Sequence, residues 1–154
     1  MSAGRTELGD YHLHDLVKLT ANTAGMIVKI DKTSFKVLDN TGKLFTVLLN
    51  NMQEKRNNRR GETFLDAKQV PIIPGDLVEI IGGDPAIRGK QAKIKQVFRQ
   101  FVFLQSRDVV ENGGIFVTSR KNIAAVGGGS DQAKIEAVFF FFFFFFFFFF
   151  FFFF

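Results

Sequence analysis

The chain has 154 residues, a formal net charge of +5 and no cysteine, which excludes a disulfide framework, thiolate metal sites and a cysteine nucleophile together. A pI near 9.6 favours an acidic partner, either nucleic acid or an acidic protein face. Phe139 to Phe154 form an unbroken run that supplies most of the 23 phenylalanines. The apolar fraction without that run is ordinary for a soluble globular protein.

Met1 to Asp10 is polar and lacks the apolar stretch of a secretory signal. Short β-branched and aromatic runs then recur: Gly25–Ile30, Ser34–Leu38, Leu44–Leu49, Leu77–Ile81, Ala92–Phe98, Phe101–Leu104 and Ile115–Val117. Turn residues separate them at Asp39–Gly42, Gly82–Pro85 and Glu111–Gly114. This spacing predicts small barrels or sandwiches and an all-β fold. Lys93 and Lys95 alternate with Ala92, Ile94 and Val97, the pattern of a strand with one wet face.

A weak repeat divides the chain. His14-Asp-Leu-Val-Lys-Leu19 aligns with Gly75-Asp-Leu-Val-Glu-Ile80, followed in each copy by a glycine (Gly25 or Gly89), an alternating strand, a Phe-led strand (Phe35–Leu38 or Phe101–Leu104) and a last strand. Each unit is near the lower size limit for an independent core, so the two are expected to pack together. The apolar connector residues Leu65, Val70, Ile72 and Ile73 are the expected junction. Beyond the second unit, Ser130–Glu136 reads as the start of a short capped helix. The phenylalanine run is long enough to cross a bilayer, but it lacks the mixed composition and interfacial anchors of a membrane span. It is set aside, and no membrane association is expected.

Pro74-Gly-Asp-Leu-Val-Glu-Ile-Ile81, with Gly83, Gly89, Ile94 and Val97, resembles a KOW motif. Ala92 stands where that motif usually has glycine, and Gly83–Arg88 is longer than usual. The wider text is similar to one family in order from Tyr11 to Ser130: His14–Leu19, Ala24–Ile30, Ser34–Leu38, Gly42-Lys43, Leu65-Asp66, Phe98–Leu104, Glu111–Val117 and Gly127–Ser130. That family is the large subunit of the eukaryotic elongation factor DSIF, a NusG relative. The resemblance implies two SH3-like barrels in tandem: a Tudor-like barrel at 11–50, a basic connector at 51–74, a KOW-type barrel at 75–126 and a linker with a short helix at 127–138, ahead of the run at 139–154. It implies a piece of a nuclear protein that docks on RNA polymerase II, with nascent RNA or upstream DNA as secondary partner. The family's small zinc-binding partner subunit would be met only through a domain absent here.

No catalytic residue, cofactor or metal is expected. Asp76 and Glu79 read as a turn aspartate and a solvated glutamate, His12 and His14 lack a third ligand, and Gly82-Gly83 matches no phosphate-binding fingerprint. The basic residues are the binding candidates: Lys55, Arg56, Arg59 and Arg60 in the connector, Lys90, Lys93, Lys95, Arg99 and Arg107 around the KOW strands, and Arg120-Lys121. They suit phosphates or an acidic protein surface, against the plainer reading of solvated charge. Phe101 and Phe103 alternate with Val102 and Leu104, so one pair is expected to face outward, where barrel-to-barrel packing is preferred over stacking on a base. The competing reading is a stand-alone RNA-binding KOW module of ribosomal type, which would lack the first barrel.

Overall fold

The structure, a computed structural model, describes residues 5–126; the linker, short helix and phenylalanine run expected from 127 onward lie outside the described residues. The described part is all-β, with two curled sheets and two small hairpins. Strands β1 (Glu7–Leu8) and β2 (Tyr11–His12) form a hairpin ahead of the first sheet, β3 (Leu16–Thr20), β4 (Thr23–Ile30), β5 (Ser34–Asp39) and β6 (Leu44–Leu48). In the connector, β7 (Phe64–Leu65) pairs with β8 (Pro71–Ile72). The second sheet has the order β12-β11-β10-β9-β13, with β9 Leu77–Ile80, β10 Gln91–Phe98, β11 Phe101–Gln105, β12 Ile115–Ser119 and β13 Ile123–Ala125.

The duplication holds at the level of single hydrogen bonds. The Asp15 carboxylate accepts from His12 N at 2.8 Å, as Asp76 accepts from Ile73 N at 2.9 Å. His14 N donates to Ile27 O and Ile27 N to Asp15 O; Gly75 N donates to Ile94 O and Ile94 N to Asp76 O. Both turns need a positive φ, 71° at His14 and 103° at Gly75. Glycine takes that conformation freely and an L-residue only at a cost.

Register corrects the alignment read from sequence. A bulge at Val28 in β4 and one at Lys95 in β10 place Lys29 opposite Lys36 and Gln96 opposite Phe103. Val17 and Val78 pair with Gly25 and Ala92 respectively. Gly25 therefore corresponds to Ala92 and not to Gly89, and Phe35 corresponds to Val102 and not to Phe101. Gly25 is needed for close approach, because a Cβ there would collide with Val37 Cγ1.

The two units share a core. Val17, Ile27, Ile30, Phe35 and Val37 fill the first barrel, and Ile72, Val78, Ile80, Ile94, Val97, Val102, Leu104 and Ile123 fill the second. A third cluster joins Leu16, Ala24, Met26 and Leu38 of the first unit to Phe103 and Ile115 of the second. The expected junction is thus displaced. Ile72 is fully buried but inside the second barrel, Val70 and Ile73 are only half-buried, and Leu65 is 41 % exposed. The connector hairpin packs Ile72 and Phe64 into the second core instead. Phe103 does serve barrel-to-barrel packing.

Truncating Phe103 to Ala should cost about 3–5 kcal/mol and Ile72 to Ala about 2–5 kcal/mol, whereas Ile73→Ala should cost under about 1 kcal/mol. Urea unfolding followed by circular dichroism checks this. An unchanged midpoint for Phe103→Ala would show that the shared cluster does not hold the units together.

A basic seam as candidate interface

The connector does not stand off the strands as a free loop. Lys55 forms a β-bridge with Val17, Lys18 N donates to Glu54 O at 3.0 Å, and Arg56 N donates to Leu16 O at 2.6 Å. The segment therefore lies against β3 as β13 lies against β9.

Two asparagines then lock it to the second barrel. Asn57 Oδ1 accepts from Leu16 N at 2.6 Å and from Gln96 Nε2 at 3.2 Å, while its Nδ2 donates to Asp15 Oδ1 at 2.9 Å. The Asn58 side chain exchanges two bonds with the Val97 backbone, accepting from N at 2.6 Å and donating to O at 2.7 Å. A side-chain amide here stands in for a neighbouring strand, pairing groups that β10 would otherwise leave open past its bulge.

This brings one member of each basic group together. Lys18 (β3), Arg56 (connector) and Arg99 (β10–β11 turn) line one cleft with Thr20, Ala21, Thr23, Ala24 and Phe98, about 260 Å³ in volume. Lys18 was not among the residues singled out from sequence; its only signal there was its place as the wet residue of Leu16-Val-Lys-Leu19. Arg99 takes a positive φ of 56° in its tight turn, and its guanidinium lies 5.1 Å from the Phe98 ring centre. Lys95, the bulged residue, is half-buried beside His14, and Arg59 and Arg60 follow on the exposed part of the connector.

Other candidates are engaged locally or lie elsewhere. Lys55 sits 3.3 Å from Asp15 and over the Tyr11 ring. Arg120 donates to the carbonyls of Arg99 and Leu65, tying the hairpin to the connector, with Lys121 exposed beside it. Lys90 reaches the Asp108 carbonyl next to exposed Arg107, and Lys93 is exposed on β10.

The seam also sets proton affinities. Burial, reinforced by the positive charge of Lys95, lowers the His14 pKa below its usual 6.5. Burial likewise lowers Lys95, with help from Lys93. Burial alone would raise Asp15, but Asn57, the His12 N–H and Lys55 together outweigh it and hold the carboxyl below its usual value.

Comparison with known proteins divides the chain where the sheets divide it. Residues 7–55 match the family model for the KOWx domain of transcription elongation factor SPT5, and residues 65–120 match that for its fourth KOW domain. The chain belongs to the SPT5 family. Relatives named as this factor are 40 % identical over 75 % of the chain in Schizosaccharomyces pombe, 35 % over 80 % in Mycosarcoma maydis and 33 % over 79 % in Drosophila melanogaster. The chain spans only 11–13 % of those SPT5 proteins. The first barrel, expected as Tudor-like, thus corresponds to the SPT5 KOWx domain.

Acid should loosen the seam in two stages. His14 is harder to protonate when folded, so its share of stability is complete above its usual 6.5 and falls as pH drops below that. Asp15 is harder to protonate from the carboxylate side, so its share is complete above 3.8 and is lost only below it. His14→Asn, whose side chain tolerates positive φ, should abolish the first stage and leave the second. Thermal unfolding across pH compares the two proteins, and an identical slope near neutrality in both would be the contrary result.

Proposed function

We propose that this two-barrel region is a non-catalytic docking module of a nuclear transcription elongation factor, resting on RNA polymerase II and making weaker phosphate contacts with nascent RNA or upstream DNA. The observation that supports it most is the seam: cations from β3, the connector and the β10–β11 turn converge on one concave surface of a chain related to transcription elongation factors. The fused apolar cluster holds those segments in fixed relation, so the charge pattern is preorganised for a partner. A free-standing ribosomal-type KOW module has no first barrel, whereas here that barrel is needed to cover Phe103 and Ile115.

Charge at such a surface acts mainly on association rate and salt dependence. Reversing Arg59 and Arg60 to Glu should slow capture of purified RNA polymerase II and flatten its salt dependence. Reversing Lys90 and Arg107, in the β9–β10 and β11–β12 loops at the end of β10 away from Arg99, should leave both unchanged. If the two pairs behave alike, docking through the seam is wrong. Single-stranded RNA should bind weakly, with log K falling against log salt at a slope of about −3 if about four phosphates are engaged; a fluorescence-anisotropy salt series reads the slope.

A further inference from the structure

The seam cleft has a wall without any carboxylate. Lys18, Arg56 and Arg99 come from three separate segments, and the remaining surface is Thr20, Thr23, two alanines and Phe98. Three cations turned toward one space repel each other and favour an anion between them. Glu54, which is not part of the cleft lining, holds Arg56 at 2.8 Å, and both side chains are exposed.

The kind of anion follows from what else the cleft offers. Sequence-tolerant nucleic-acid sites pair cations with aromatic faces on which bases stack. Phe98, the only ring here, already carries Arg99 on its face and packs against the shared core. The Thr20 and Thr23 hydroxyls bond to each other at 2.7 Å. At about 260 Å³, the cleft is also smaller than the roughly 300–1,000 Å³ of sites that enclose a drug-sized ligand. It suits one or two carboxylates, which arginine forks bind through paired hydrogen bonds.

We propose that this cleft receives aspartate or glutamate side chains of an acidic segment on the protein partner. The inference rests on the docking reading and names its chemistry. Glu54 acts as an internal competitor, occupying Arg56 until a partner carboxylate displaces it.

The test uses the isotope-labelled chain titrated with a glutamate dodecapeptide and, in parallel, with an oligouridylate of equal length. The peptide should shift the amide resonances of Lys18, Arg56 and Arg99. Glu54→Gln should tighten peptide binding about threefold, in keeping with the worth of an exposed ion pair. The combined reversal Lys18→Glu, Arg56→Glu, Arg99→Glu should weaken it by at least about tenfold. Since Glu54→Gln touches only an exposed side chain, it keeps the test valid if the triple variant misfolds. Tighter oligouridylate binding at the same residues, or no gain from Glu54→Gln, overturns the proposal. Capture of RNA polymerase II is measured alongside. A wild-type chain that fails to capture it removes the docking reading, while the peptide titration still decides what the cleft binds.

Discussion

Neither sheet buries both of its faces alone, and the structure depends on how they cover each other. Phe103 and Ile115 lie on the outer face of β11–β12 and insert against Leu16, Ala24, Met26 and Leu38 on the outer face of β3–β4–β5. Burying an aromatic and several aliphatic side chains contributes about 1.5–3 kcal/mol for each large one. That is substantial for units of this size, whose own cores are small. The polar locks at Asn57 and Asn58 then fix the orientation that the apolar cluster permits.

The contact is heterologous, since different patches of the equivalent outer faces meet, and such contacts can propagate into arrays unless something stops them. Register shows which residues hold the matching positions. The positions of Met26 and Leu38 are held in the second unit by Lys93 and Gln105, and that of Leu16 by Leu77. The positions of Phe103 and Val117 are held in the first unit by Lys36 and Thr46, whose side chains bond at 2.6 Å. The free patches are thus mixed, with Lys93, Gln105, Lys36 and Thr46 beside the exposed leucines Leu77 and Leu44. Lys93 thus lies exposed on β10 at the position that Met26 fills in the apolar contact.

Much of this architecture was legible in the sequence, and the remainder was hidden for identifiable reasons. The strands from β4 to β6 and from β9 to β12 were visible as β-branched runs between turn residues. Phe101-Val-Phe-Leu104 was apolar on both faces, which is the mark of a strand covered on both sides. Strands β1, β2, β7, β8 and β13 have only two or three residues each, too few for any periodicity to register. Matching residue types align the repeat with Gly25 on Gly89 and Phe35 on Phe101, whereas strand pairing matches Gly25 with Ala92 and Phe35 with Val102.

The seam was the least legible feature, because its organising residues are neutral. Lys55-Arg-Asn-Asn-Arg-Arg60 reads as a charged loop, yet its two asparagines make five hydrogen bonds through their side chains, to Leu16, Asp15, Gln96 and Val97. Those bonds decide where the charges go. Without them the arginines would be solvated on a mobile segment, each worth little to any partner. With the connector held between Asp15 and the bulged strand, Arg56 shares a cleft with Lys18 and Arg99. Charge content is a property of composition, but a charged site is a property of the backbone pairing that aligns it. Here that pairing is supplied by amide side chains, which imitate a strand at the point where the β10 ladder breaks.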